Sequence, residues 1–151
     1  MNQITIRLAT PADIPDMMRL TDYSATAPRW SPYHYDQIFK HDSPNRLAMV
    51  VQDSIGVQGF LVAHGILDEW EIENIAVAGP ARRRGLGSRL LVEFLDQARA
   101  KGARTLFLEV RESNHAARAL YQKWSFEESG RRPRYYSEPI EDAIIYRHAF
   151  A

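Results

Sequence analysis

Residues 71–89 read Glu-Ile-Glu-Asn-Ile-Ala-Val-Ala-Gly-Pro-Ala-Arg-Arg-Arg-Gly-Leu-Gly-Ser-Arg, and no other stretch of the chain restricts the fold as much. The β-branched run at 72–77 predicts a buried strand. A turn, three arginines (Arg82, Arg83, Arg84), Gly85 and Gly87 follow, and a long amphipathic helix opens at about Leu86. A strand feeding a helix through a basic, glycine-rich turn makes a seat for a pyrophosphate. The N–H groups of a first helical turn have no partners within the helix, and the macrodipole adds about half a positive charge there. Glycines let the backbone come close to the anion. The stretch lacks the Gly-Lys-Ser/Thr of a P-loop and the third glycine of a dinucleotide fingerprint.

Length and composition bound the rest. A chain of 151 residues is about one domain's worth, and we expect a single domain over 1–151. The formal net charge is zero, which argues against a broad surface for nucleic acid. Cysteine is absent, so disulfides, zinc–thiolate sites and thiol catalysis are excluded. The five histidines (His34, His41, His64, His115, His148) show no metal-ligand spacing; we expect surface positions and no metal. No run approaches the ~20 apolar residues needed to span a membrane, and the first residues lack the order of a signal peptide. A cytoplasmic protein without a membrane partner is expected.

Ile4, Ile6 and Leu8 alternate with polar residues and predict a first strand. Thr10-Pro11-Ala12-Asp13 is a helix start with an N-cap, a proline at the first position and an acid in the first turn. Residues 25–30 read as irregular, and Ser31-Pro32 starts a second helix. Tyr23, Trp30, Tyr33, Tyr35 and Phe39 crowd this region, either as a cover for the core or as a pocket wall. Strands are expected at 47–52 and 57–66, joined by a hairpin turn at 53–56, and a central strand at 70–77. The helix from Leu86 ends at Lys101-Gly102. The apolar run 105–110 predicts a strand buried on both faces. Ser113 or Asn114 caps the next helix. A strand starts at 125–129, residues 131–139 form a long connection, and 140–150 close the sheet. The order β-α-α-β-β-β-α-β-α-β-β is α+β, a three-layer fold with a mixed sheet of about seven strands and about four helices.

Three motifs carry a resemblance. Arg82-Arg83-Arg84-Gly85-Leu86-Gly87 resembles the acetyl-CoA motif, Gln/Arg-x-x-Gly-x-Gly/Ala, of the GCN5-related N-acetyltransferases. The run from Leu108 and Glu109 through Ser113-Asn114 to Leu120-Tyr121 resembles that family's second signature. Tyr135-Tyr136 followed by Pro139-Ile140-Glu141-Asp142-Ala143 is similar to the RimI-type branch, which acetylates the N-terminal alanine of a ribosomal protein. One departure is Ser125-Phe126, where the family has Gly-Phe after the tyrosine helix; the helix end is expected to be reshaped there.

The resemblance implies acetyl-CoA as cosubstrate. Its pyrophosphate would lie on the turn from Arg82 to Ser88, its carbonyl on the backbone of Ile75, Ala76 and Val77, and its arm against Asn114. Acetyl transfer from a thioester to an amine needs the amine deprotonated, the carbonyl polarised and the thiolate protonated. Glu109 is the candidate base. A charge is out of place in Leu-Phe-Leu-Glu-Val, and burial would raise its pKa, unless it is a strand-end residue facing water. Tyr121 is the candidate acid, or a packing residue. The resemblance implies the catalytic roles. Glu71 and Glu73, placed on one strand face by their alternation with Ile72, are rival bases or a lure for a cationic amine. Tyr135 and Tyr136 would wall the acceptor's first side chain. The expected partner is a protein or peptide N-terminus, such as that of a ribosomal protein, without direct nucleic-acid contact. Competing readings are a small amine or lysine acceptor, and a non-catalytic coenzyme A-binding module.

Overall fold

The computed structural model describes residues 3–22, 30–40, 45–79 and 85–150. Tyr23, His41, the three arginines Arg82, Arg83 and Arg84, and most of the irregular stretch expected before Trp30 lie outside the described residues.

Strand β1 (Thr5–Leu8) leads through a 3₁₀ turn (Pro11–Asp13) to helices α1 (Ile14–Asp22) and α2 (Pro32–Ile38). Strands β2 (Arg46–Gln52), β3 (Val57–Ile66) and β4 (Glu69–Val77) follow as an antiparallel meander. Helix α3 (Leu86–Ala100) crosses to β5 (Thr105–Arg111), helix α4 (His115–Lys123) comes next, and β6 (Glu127–Ser137) and β7 (Ile140–Ala149) form a closing hairpin. The element order is the expected one. The seven strands make one mixed sheet in the order β1-β2-β3-β4-β5-β7-β6. Its parallel pair is β4–β5, the pair that requires a crossover helix.

The two faces of the sheet are covered differently. Leu86, Leu90, Leu91, Phe94 and Ala98 of α3 pack with Tyr121 of α4 against Trp70, Ile72, Leu106 and Leu108. On the other face Met17, Leu20, Tyr35 and Ile38 of α1 and α2 cover Val50, Phe60, Val62 and Ala76. Tyr35 is thus core, and Trp30 packs against the same cluster, whereas Tyr33 is exposed. The part of this second face that carries Glu71, Phe107 and Glu109 has no helix over it among the described residues, and there a cavity forms.

The structure departs from sequence expectation at β6. Residues 131–137, read as a connection, continue the strand to Ser137, in pairs such as Arg132↔Ala143 and Tyr136↔Glu141. An edge strand with nothing packed on its faces needs no apolar alternation, and arginines and a proline are the residues that keep such an edge from pairing elsewhere.

Helix ends are fixed by local chemistry. At α4, Ser125 takes φ +69, and Phe126 N–H donates to Tyr121 O while Ser125 N–H donates to Gln122 O. This is a Schellman motif with its apolar contact, Tyr121 against Phe126, but with serine at the left-handed position. The helix end therefore keeps the shape a glycine would give, contrary to expectation. Ser125→Gly should raise stability by about 0.5–1 kcal/mol, the relief of left-handed strain less the added unfolded-state entropy, read as a higher urea midpoint.

Arg7 of β1 grips Asp13 with two bonds of 2.8 Å, and Asp13 also accepts from Thr10 N–H, which ties the first strand to the first helix. The Arg7 guanidinium holds the buried Asp13 carboxyl below its usual range. A depressed folded-state pKa contributes stability above the unfolded value, and that contribution is lost as pH falls through the folded one. Asp13→Asn should cost about 1–3 kcal/mol at pH 7, with a smaller difference from the unsubstituted protein at pH 3, measured by denaturant titration at both pH values.

Candidate active site

The site begins at an irregularity in β4. Ala63 pairs with Ile72, but Val62 pairs with Asn74, so Glu73 is an extra residue in the ladder. The bulge changes which residues share a face. Ile72 lies in the α3/α4 core, Asn74 pairs with Val62 of the opposite core, and Ile75 and Val77 return to the α3 side. Glu73 nevertheless stays on the side of Glu71, because its partner Arg46 is in register with His64 and through it with Glu71. Glu73 turns to Arg46, 3.6 Å away, and does not line either cavity described below.

Pairing between β4 and β5 ends at Ile72↔Leu108, although β4 runs on to Val77 and β5 to Arg111. Beyond that point the strands part. The resulting cleft, of about 400 Å³, is lined by Ile75, Ala76 and Val77 from β4, Gly85, Gly87 and Ser88 at the start of α3, and Asn114, Leu120, Tyr121 and Lys123 around α4. Eight of the residues singled out in the sequence thus meet in one place: Ile75, Ala76, Val77, Gly85, Gly87, Ser88, Asn114 and Tyr121. Leu86 does not join them. Its side chain is fully buried in the core, which leaves its backbone N–H alone for an anion.

The start of α3 suits a ligand. Gly85 caps the helix at φ +72, a conformation that favours glycine, and gives no side-chain hydrogen bond to the first turn. The first turn holds no acid. A Cβ on Gly87 would meet Leu120 at 3.5 Å and Val77 at 3.8 Å, ordinary contacts, so the fold itself has room for a Cβ there. Asn114 caps α4 by accepting from Ala117 N–H at 3.2 Å and also faces the cleft, so both readings of it hold together. Lys123 is a cleft residue that sequence reasoning missed. Its signal was the helical spacing from Ala116 and Leu120, which line the same wall.

On the open face of the sheet lies a second cavity of about 460 Å³, lined by His64, Glu69, Glu71, Phe107, Glu109, Arg132 and Ile145 among others. His64 is therefore a cavity residue, not a plain surface one. Glu109 is not a buried, unpaired carboxylate. Its side chain is 19% exposed and its Oε1 accepts from Arg132 Nε at 2.5 Å. The upward shift expected of burial is found at Glu71, where partial desolvation, then the charges of Glu109 and Glu73, push the carboxyl above its usual range. Glu71 still reaches solvent at the cavity mouth.

Tyrosines stand near both spaces. Tyr121 is buried, and desolvation holds its phenol well above the ordinary value, so it stays protonated at any physiological pH. Burial and then the charge of Glu109 push Tyr136 up to about 12. Its ring lies 4.2 Å from the Arg111 guanidinium. Tyr135 stacks edge-on against Tyr136 and is mostly exposed. Among the described residues no cluster of His, Asp or Glu could hold a metal ion, and no helix is long and apolar enough to cross a membrane.

A seven-stranded mixed sheet, splayed at its parallel pair beside an uncapped glycine-rich helix start, is the layout of an acyltransferase that draws its donor in between two strands. The chain belongs to the acetyltransferase (GNAT) family, whose model matches residues 15–126, and it is an N-acetyltransferase. It is 34% identical over 143 residues to the ribosomal protein bS18-alanine N-acetyltransferase of Salmonella typhimurium, covering 93% of this chain and 94% of that one. The crystal structure of the Escherichia coli ribosomal-protein-S18-alanine N-acetyltransferase superposes with a TM-score of 0.88 at 31% identity, covering 99% of this chain and 95% of that one. Arabidopsis thaliana NAA60, solved in complex with acetyl-CoA, shares the fold at a TM-score of 0.86 and 18% identity, over 98% of this chain and 100% of that one. Enzymes of this family use acetyl-CoA as acetyl donor. Because the fold accepts a Cβ at Gly87, a loss there reports on the ligand. Gly87→Leu should abolish acetyl-CoA binding by calorimetry while the thermal midpoint moves little; unchanged affinity would remove the donor from this cleft.

Proposed function

We propose that the protein acetylates the N-terminal α-amine of a protein, an alanine of a ribosomal protein, in the cytoplasm, with acetyl-CoA in the cleft between β4 and β5. The observation that carries the reading is that β4 borders two cavities, one at Ile75–Val77 beside an uncapped helix start and the other at Glu69–Glu71 lined with carboxylates. The relatives named for bS18-alanine acetylation support the acceptor.

Acetyl-CoA supplies the acetyl group as a thioester. Main-chain N–H groups of Gly87 and Ser88, with Lys123 and the three arginines, take the charge of the pyrophosphate end. Backbone groups of Ile75, Ala76 and Val77 orient the carbonyl, and Asn114 flanks the arm. Glu109 removes a proton from the acceptor nitrogen. Tyr121 donates its phenolic hydrogen towards the departing sulfur. Its raised pKa makes it a hydrogen-bond donor first and a weak acid second. Glu69 and Glu71 draw in the positive N-terminus, and Tyr135 and Tyr136 flank its first side chain.

An α-amine with a pKa of ~7.7–8 is partly neutral at pH 7, whereas a lysine at ~10.4 is almost wholly charged, so a single carboxylate suffices for the first. Peptides starting with Ala should be acetylated, while the same peptides with a blocked α-amine and a free lysine should be poor substrates, by mass spectrometry of the products. Glu109→Gln should lower turnover by ~10²-fold or more with acetyl-CoA affinity unchanged. Equal rates on lysine-only peptides would overturn the acceptor. A severe Glu71→Gln beside a nearly active Glu109→Gln would move the base to Glu71.

A further inference from the structure

Arg132 occupies the place that the acceptor's ammonium needs. Its Nε donates to Glu109 Oε1 at 2.5 Å, and it lines the acid-walled cavity with Glu71 and Glu109. Yet its hold is slight. The side chain is 56% exposed and makes one contact to the carboxylate. The β6–β7 ladder shifts register directly after it, and Arg134 takes φ +54. The adjacent Arg131 is the contrast, fixed between Glu112 at 2.6 Å and Asp142 at 2.7 Å. A single, water-facing ion pair on an irregular edge is weak and readily exchanged.

We propose that Arg132 is the resident counter-ion of Glu109 and that the acceptor ammonium displaces it. The proposal rests on the reading of Glu109 as the base. A guanidinium does not give up its proton, so while bonded it keeps the carboxylate charged and aimed but covers the oxygen that must take a proton from the amine. An arriving ammonium carries the same charge into the same small space, and the solvent-facing arginine yields. With Oε1 uncovered, an N–H bond of the ammonium breaks, an O–H bond forms on Glu109, and the nitrogen keeps the electron pair for the acyl carbon. Return of Arg132 then favours loss of that proton to water, which resets the base. The other charged or titratable groups on the side of Glu109 are His64 on β3, Glu69, Glu71 and Glu73 on β4, Arg111 on β5, Tyr136 on β6 and Arg147 in register with Phe107 on β7. Among the described residues, Arg132 alone forms an ion pair with Glu109.

The test uses the full chain with Arg132→Gln and Arg132→Lys. Two readouts are taken: kcat/KM against pH on an alanine-starting peptide, and the side-chain carboxyl carbon resonance of Glu109 against pH in the peptide-free protein. A neighbouring cation favours the charged carboxylate, so Arg132→Gln should move the acidic limb and the resonance midpoint to higher pH. The alkaline plateau should hold or rise, because nothing remains to be displaced, and Arg132→Lys should restore the limb. An unmoved limb and resonance overturn the proposal. So does a tenfold fall of the plateau with the limb in place, which would make Arg132 a substrate or hairpin contact. A limb that still moves when Arg132→Gln is added to Glu109→Gln places the effect on Glu71 and also overturns it. If the unsubstituted enzyme turns over no peptide, the acceptor reading fails by itself, and the resonance still decides whether Arg132 governs Glu109.

Discussion

One extra residue in β4 governs the rest of this structure. Were Glu73 paired regularly within the ladder, alternation would carry Ile75 and Val77 to the same face as Glu71. With the bulge, those residues turn to the α3 side. The same irregularity coincides with the end of β4–β5 pairing at Ile72↔Leu108. Bulges add local twist and re-aim side chains, and here the result is a gap between two parallel strands in the middle of a sheet. A gap in a core sheet is costly unless something fills it, because backbone groups on its rim lose ladder partners. A thin acyl-pantetheine arm with amide groups of its own is a filler of the right kind.

The rigidity around that gap comes from packing that is independent of it. Five residues of α3 are buried against the sheet, each worth up to ~1.5–3 kcal/mol for the larger side chains. They fix the helix start, and hence Gly85 and Gly87, without any contact to a ligand. Tyr121 is held in the same way. It packs against Phe126 and Tyr146, and the Schellman bonds pin its carbonyl. A phenol held this way suits the proposed donor role, since its rotamer is chosen by packing alone. Ser125 shows how strongly the fold demands this helix end. The left-handed turn persists although serine disfavours it.

Much of this was legible from local chemistry. The caps at Thr10, Ser31 and Asn114, the left-handed Gly102 and the helical spacing of α3 each depend on residues within a few positions of one another, and the structure carries all of them. What the sequence concealed is non-local. Ile72, Asn74 and Ala76 alternate as smoothly as any strand, so nothing marks Glu73 as the bulge; the shift exists only relative to β3. Glu109 and Arg132 are 23 positions apart, and their pairing depends on how far β6 runs along β7. The Arg-Arg-Pro-Arg run of β6 looks like a loop because an edge strand is chosen for solubility, not for burial. Each miss concerns a relation between strands, where one-dimensional pattern carries least.

The hairpin of β6 and β7 lines the second cavity, and its tip explains the Pro-Ile-Glu-Asp-Ala run. Glu141 binds Arg111 at 3.1 Å and accepts from Ser113 N–H at 2.7 Å. Asp142 takes Arg131 and the N–H of Arg134, and its own carbonyl accepts from Glu112 N–H. The loop from Glu112 to Asn114 is thereby tied to the strand bearing Tyr136, whose ring rests on Arg111. Singly, exposed pairs such as those of Arg131 contribute little, but a network shares the entropic cost of ordering across several bonds. Both carboxyls are held below their usual range, Glu141 chiefly by its hydrogen bond to Ser113 and Asp142 chiefly by Arg131, so the clamp is fully charged at neutral pH. Its geometry has a consequence for function. Asn114 lines the cleft beside α3 and Tyr136 feels the charge of Glu109, which lines the second cavity, so groups beside both spaces are tied to one set of ion pairs. Arg132 stands next to this clamp but outside it, the one arginine of the hairpin whose partner is the proposed base, and that is what leaves it free to yield while the walls stay in place.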